Sequence, residues 1–400
     1  MNFPLYIAKR YLVSKSSNNA INIITIIATV GVVVSTIALF VVLSVFSGLK
    51  SFSLNFIEVS DPDLKVSSVR GKSFLFNDSI ARSLAKEKIA AYSKVIEERA
   101  FFNYNDKSHI AIVKGIDEQY LNVNRMDTAV YFGEWVNYDE KHTVVIGGKI
   151  SSLLSVGAYD FLDPLKIFVP KPGKGYISDP RNAFTSVNTQ PIGIFKLTEE
   201  IDGKYVFANL ALTQELLNYK PDQITSVEIK LNDPKFTEEV QEELQKYLGD
   251  TYKVQTREQL NSVFYKMLNT ENLASYLVFT LVLIIALFNV IGAIVMMIID
   301  KRGNLKTMYH LGADIKNIRR IFILQGFLLT IVGLLIGLFI AIPLILVQKK
   351  LGLIMITQYL AYPVEFYWSN VIIVIATIII LGYSAALLAS GRINKKLVST

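Results

Sequence analysis

The chain contains no cysteine in 400 residues. That excludes disulfides, thiolate zinc sites, iron–sulfur clusters and cysteine nucleophiles. Histidine is nearly absent too. His109, His142 and His310 are the only three, and no two stand at the i, i+4 spacing of a helical metal site, so neither metal nor cofactor is expected. Charge is scarce: 19% of residues against 52% hydrophobic, where a soluble domain carries about a quarter. Gly71-Lys72-Ser73 imitates the end of a phosphate-binding loop, but Val66 stands where its first glycine belongs.

Four stretches lack charge altogether: Ser16–Leu49, Asn272–Ile299, Ile321–Gln348 and Phe366–Gly391. Each exceeds the roughly 20 apolar residues that cross a bilayer as a helix. The predicted spans are 21–47, 274–299, 321–348 and 366–391. With no Asp, Glu, Lys, Arg or His inside them, ion-coupled transport and intramembrane proteolysis lack their usual machinery. Thr25, Thr29, Ser35, Thr36, Asn289, Gln325 and Ser384 are expected to hydrogen-bond between helices.

Lys and Arg orient the spans. Segments 1–20 (an interfacial N-terminal helix), 300–320 and the tail 392–400 together hold twelve basic and two acidic residues. By the positive-inside rule they are cytoplasmic, with both termini inside. The segment 48–273 carries 27 basic and 31 acidic residues and falls outside, as does the short loop 349–365. The formal charge of +7 therefore belongs to membrane-flanking segments, and no nucleic-acid partner is implied. The cytoplasmic segments are too short for an ATPase or kinase domain.

The outer segment reads as α+β. Strand-like runs are Asp63–Val69, Lys94–Tyr104, His109–Gly115, Thr143–Ile146, Lys166–Val169, Pro191–Phe195, Tyr205–Ala208 and Thr225–Leu231. Helix-like runs are Asp78–Tyr92, Gln214–Tyr219 and Lys235–Leu248, the last behind an Asn232-Asp233-Pro234 cap. The domain 48–256, in two lobes, would be followed by a stalk helix 257–273 running unbroken into the second span. The fold expected is an α-helical membrane protein with four transmembrane helices plus a large α+β extracytoplasmic domain inserted between the first and second spans. One segment, 171–186, holds too much proline and glycine for regular structure. The flanking strands Ile167-Phe168-Val169 and Ile192-Gly193-Ile194 would close it as a protruding hairpin.

Residues 300–326 predict two short amphipathic helices broken at Leu311-Gly312-Ala313-Asp314. Gly312 would end the first, and Asp314 would cap the second, whose Ile315, Ile318 and Phe322 share a face. Such a connector suits a helix lying on the membrane surface and offered to a cytoplasmic partner.

The Leu-Gly-Ala turn with the Ile-x-x-Ile-x-x-x-Phe run after it resembles the last half of ABC permeases of the MacB/FtsX type. Ala8-Lys9-Arg10-Tyr11-Leu12, Gly31-Val32 with Ser35, and Val41–Gly48 resemble the lipoprotein-releasing (Lol-type) branch. So does the outer order of Val113–Asp117, Val144–Gly147 and Ile167–Pro170 before the hairpin.

That resemblance implies a non-catalytic permease subunit in a bacterial inner membrane, with a periplasmic large domain. Its partners would be a separate cytoplasmic ABC ATPase, a second permease (the same chain or a sister), lipoprotein cargo and a periplasmic lipoprotein carrier. The ATPase would dock on Lys306, Tyr309, His310, Leu311, Gly312, Ala313, Asp314, Lys316, Asn317, Arg319 and Arg320. A carrier-binding hook would comprise Lys171, Pro172, Gly173, Lys174, Gly175, Tyr176, Ile177, Pro180, Arg181 and Phe184. Val33, Leu39, Val42, Phe46, Leu268, Tyr276 and Phe279 would line a greasy cleft for cargo acyl chains. Two alternatives stay open on the residues: a related permease for peptide or toxin export or cell-wall hydrolase signalling, and a sensor that transports nothing.

Overall fold

A computed structural model describes residues 3–13, 19–160, 163–171, 183–357 and 360–393. The chain divides into two compact units, residues 1–53 with 266–400, and residues 54–265.

Four helices among the described residues are long and apolar enough to cross a membrane. The first is Asn19–Ser60, the second Ser262–Asp300, the third Ile315–Leu351 and the fourth Trp368–Ser390. Small residues set their packing. A Cβ on Gly333 would lie 2.8 Å from the Val32 side chain, and one on Gly337 2.5 Å from Thr36. This Gly-x-x-x-Gly step brings the first and third helices together, as close packing in lipid requires. Phe40, Ile294, Phe322 and Ile378 are buried where the four helices meet. The helix Phe3–Val13 packs on the third through buried Ala8 and the Tyr11–Phe322 ring contact. That accounts for two residues of the Ala8–Leu12 motif.

The expected hydrogen bonds between spans are only partly present. Thr25, Thr29, Thr36 and Ser384 give their hydroxyls to carbonyls four residues back in their own helices, which satisfies a hydroxyl without a partner helix. Gln325 does reach across, its amide donating to Met297 Sδ at 2.9 Å. Asn289 lies exposed on the second helix. Buried Gln348 organises the loop after the third helix, donating to Ile354 O and Tyr362 O and accepting from Ile354 N. The loop then lies against the first helix. Glu365 N–H donates to Ser44 O at 3.0 Å, and a Cβ on Gly48 would meet Pro363 O at 2.4 Å. Only glycine fits there.

The unit 54–265 contains β1 (Leu64–Ser68), β2 (Phe74–Leu75), β3 (Ile89–Tyr104), β4 (Lys107–Ile116), β5 (Val130–Gly133) and β6 (Thr143–Gly147). After these come β7 (Leu165–Pro170), β8 (Phe184–Phe195), β9 (Tyr205–Asn209), β10 (Gln223–Ile224), β11 (Ser226–Leu231) and β12 (Tyr252–Thr256). Ten of them form one mixed sheet in the order β12-β1-β11-β3-β4-β9-β6-β8-β5, with β7 bridging β3 and β8; β2 pairs with β10 alone. The expected two lobes are thus not separate sheets. Three buried apolar clusters lie around one continuous sheet.

Three local expectations change. The helix predicted over Asp78–Tyr92 stops at Leu84, because Ile89–Tyr92 pairs with β11 and that pairing overrides helix propensity. The unbroken stalk from Arg257 is interrupted at Asn261. There the amide donates to Asp61 Oδ2 at 2.6 Å and to Arg257 O at 3.1 Å; the long helix starts at Ser262. The helix expected from Lys235 starts at Thr237 instead, while its cap is as expected: Asp233 accepts from Lys235 N–H and Pro234 follows it.

Candidate functional site

The connector between the second and third helices has a fixed base and a free tip. Its helix Arg302–His310 buries Leu305 and half-buries Met308 and Tyr309 against the membrane-unit core. The helix ends in a Schellman turn: Gly312 N–H donates to Tyr309 O and Ala313 N–H to Met308 O, each at 3.0 Å. Gly312 takes φ +95°, a conformation glycine adopts without strain. Leu311 is left 83% exposed at the apex. His310, Asp314, Lys316 and Arg320 are exposed beside it; Lys306, Ala313 and Asn317 are half-buried.

Two expectations are corrected here. Asp314 occupies the N-cap position without a side-chain cap bond; its carbonyl accepts from Asn317 and Ile318 N–H. The second short helix is not separate, because Ile315–Arg320 is the start of the 37-residue third helix. Ile318 and Phe322 are buried and Ile315 half-buried on its inner side. Arg319 turns inward, with Nε donating to Ile393 O at 2.7 Å.

Of the hook, Lys171 and Phe184 stand at the root, while Pro172, Gly173, Lys174, Gly175, Tyr176, Ile177, Pro180 and Arg181 lie outside the described residues. The root is a hairpin of β7 and β8, in register from Leu165↔Thr189 to Pro170↔Phe184, extended by Lys171 N–H to Ala183 O at 2.9 Å. The returning strand is the expected one, β8, which contains Ile192–Ile194, but it is longer than the sequence suggested and pairs differently along its length. Ile192–Ile194 pairs with β5 and β6, and the β7 partner is the earlier part of β8. One strand changes partners along its length.

Of the expected cleft residues, one is withdrawn from any surface and six are half-buried. Leu39 is fully buried, so it packs the core and lines no open cleft. Tyr276 and Phe279 are half-buried, the Tyr276 hydroxyl sharing a 2.9 Å hydrogen bond with Thr377 Oγ1. Val33, Val42, Phe46 and Leu268 are half-buried as well.

One cluster was missed. Lys114, 3% exposed in β4, lies 2.7 Å from Glu228 Oε1, itself 1% exposed in β11. Glu97 Oε1 is 3.3 Å from the same ammonium, and Lys65 bridges the two carboxylates at 2.7 and 3.8 Å. Asn124 donates to the second Glu228 oxygen at 2.5 Å. Burial pushes the Lys114 pKa down, yet the Glu228 and Glu97 charges outweigh it and hold the ammonium well above its ordinary value. Burial likewise raises Glu97, but Lys65 and Lys114 bring it down to about 2. Two cations thus meet two anions in the sheet interior, a locked joint between β1, β3, β4 and β11. The sequence signal was a lysine inside the apolar run Ile110–Ile116. Its partners lie far away along the chain. Among the described residues, no group of His, Asp and Glu is placed to hold a metal.

Residues 25–247 match the family model of the MacB-like periplasmic core domain, and 276–398 that of the FtsX-like permease C-terminal domain. The chain belongs to the MacB/FtsX class of permeases. Among its relatives is the lipoprotein-releasing system transmembrane protein LolE of Haemophilus influenzae, 25% identical over 414 residues, spanning 99% of this chain and 98% of that one. LolC of the same organism is 23% identical over 412 residues with the same coverage. Among solved structures, the periplasmic region of MacB from Actinobacillus actinomycetemcomitans covers 50% of this chain and 92% of its own, at 11% identity and a TM-score of 0.34.

Proposed function

We propose that the chain is the permease subunit of an ATP-driven complex that extracts lipoproteins from the inner membrane and passes them to a periplasmic carrier. The observation that carries this reading is the end-to-end match to lipoprotein-releasing permeases, through the outer domain as well as the spans. In this reading the four apolar helices span the inner membrane with both termini cytoplasmic, and the large domain, placed between the first and second spans, is periplasmic. The chain itself is non-catalytic, and ATP is hydrolysed by a separate cytoplasmic subunit.

The connector supports the docking role. A partner that grips exposed Leu311 pushes on a turn whose base is anchored by buried Leu305, and the third helix begins four residues on, at Ile315. A push there is delivered to a rigid rod. A second permease suits the outer face of the second helix, where Asn289 and Gly292 lie exposed among apolar residues; an amide in hydrocarbon is stabilised by a partner across a helix interface.

The energetics fit the cargo. Each buried methylene is worth about 0.8 kcal/mol, so an acyl chain of roughly 15 methylenes costs about 12 kcal/mol to bring into water. Extraction needs both work and an apolar host. The test is depletion of the chain in its own cell, where acylated lipoproteins should be retained in the inner membrane.

A further inference from the structure

From Val95 to Tyr104 β3 pairs with β4, but on its other edge two strands take turns. β11 follows it to Val95, opposite Ser226, and β7 takes over only at Phe101, opposite Phe168. Thr225 covers one further step by receiving Glu97 N–H on its hydroxyl at 2.8 Å. Among the described residues, no strand lies along Glu98–Ala100 on that edge, a gap of about 10 Å at the rise of a strand. Ladder geometry settles which groups face it. Ile112 gives its N–H to Lys204 O on the β9 side at 2.7 Å, so its β3 partner Arg99 turns its N–H and C=O into the gap. Continuing the β7 register would bring Pro170 opposite Arg99, and proline has no N–H to give. Arg99 N–H is left with the neighbouring Glu98 carboxylate at 3.3 Å.

This gap is the floor of a cavity of about 1060 Å³, walled on one side by Lys72, Ser73 and Gln223 and on the other by β7 from Phe168 onward. Its apolar surface is already organised. Phe101 and Ile110 face each other across β3 and β4, Phe101 packs edge-on to Phe168 at 6.2 Å, and Phe184 stands exposed nearby. Its rim is cationic. Lys72, Arg99 and Lys171 outnumber one carboxylate, Glu98, which Lys72 already engages at 2.7 Å.

We propose that this notch receives an extended peptide segment of a partner protein by strand addition. Main-chain groups pair with Arg99, an apolar side chain seats on Phe101 and Phe168, and flanking acidic residues face Arg99 and Lys171. Strand addition supplies affinity through the backbone and specificity through alternate side chains. The charge balance of the rim selects the acidic flanks. The site goes beyond the release reading and does not require it.

The test uses the full chain in lipid nanodiscs and a fluorescein-labelled octapeptide, Asp-Glu-Val-Phe-Val-Thr-Glu-Asp, read by anisotropy. Saturable binding is expected, weakened about tenfold by Arg99→Glu or by exchanging the peptide's acids for lysines. Methylating the backbone nitrogen that faces Arg99 should cost about fivefold, the worth of one hydrogen bond. Arg99 is exposed, so its variant should fold. No saturable binding below about 1 mM, or binding indifferent to Arg99→Glu and to N-methylation, overturns the proposal. A photo-crosslinker at position 110 gives an independent check: capture of the peptide supports strand addition, and capture of the chain's own residues 172–182 in its place refutes it. Neither ATPase nor lipoprotein is present, so failure here leaves the release reading standing, and failure of that reading leaves this one.

Discussion

Replacing Lys114 with methionine removes the central cation of the buried cluster while keeping its volume. Glu228 would then face the sheet interior with Lys65 at 3.8 Å and the Asn124 amide as its remaining partners. Removing one member of a buried pair costs about 3–5 kcal/mol. The surviving partners put this case at the lower end, about 3 kcal/mol. The second change, Glu228→Gln, keeps an acceptor for Asn124 and removes the stranded charge, so the double variant should regain about 2 kcal/mol. Trp135 reports on this region, with its ring centroid 5.0 Å from Phe207 and stacked at 6.4 Å on Tyr120. The sequence has only one other tryptophan, Trp368, and Trp368→Phe makes the signal specific. In urea, with an m-value near 3 kcal/mol/M, Lys114→Met should lower the midpoint by about 1 M. A loss under about 1 kcal/mol, or a double variant no more stable than the single, would refute the ion-lock reasoning.

Three further outcomes follow from the same geometry. Glu97 has its pKa lowered from 4.5 to about 2, so its stabilisation, about 3 kcal/mol, is fully present above pH 4.5 and is lost as pH falls through 2; Trp135-monitored stability should drop across that window, and Glu97→Gln should flatten the drop. Gly48→Val would drive a side chain into the Pro363–Val364 backbone, costing about 1–3 kcal/mol as overpacking, measurable as a lower melting temperature of the membrane unit in detergent, whereas an unchanged melting temperature contradicts the close approach. Charge reversal at exposed Lys316 and Arg320, or Leu311→Asp, should abolish co-purification of the ATPase without loss of folded chain; Arg319 suits this test less, because it also holds Ile393.

How much was legible depended on the range of the interaction. The four spans were readable because each announces itself within one window of sequence. The Schellman turn at Gly312 was readable for the same reason, since the helix end needs a positive φ within five residues. β8 was only half legible: Ile192–Ile194 has strand composition, but nothing local says that Phe184–Thr189 takes β7 and the remainder turns to β5 and β6. Ile89–Tyr92 read as helix because its strand character comes from β11, more than a hundred residues later. Leu39 looked like any other apolar residue of the first span, and only packing distinguishes it from exposed Val34. The ion cluster was the least legible. Residues 65, 97, 114 and 228 have no common spacing and meet only when four strands align.

The release role is tested most directly by where lipoproteins go when the chain is withdrawn. Depleting it in its native cell and fractionating inner from outer membrane, with acylated lipoproteins followed by metabolic acyl labelling, is the measurement that decides. Newly made lipoproteins should accumulate in the inner membrane in step with the loss of the chain, while outer-membrane proteins without acyl chains are sorted as before. Normal delivery of the labelled lipoproteins to the outer membrane in depleted cells would contradict that role.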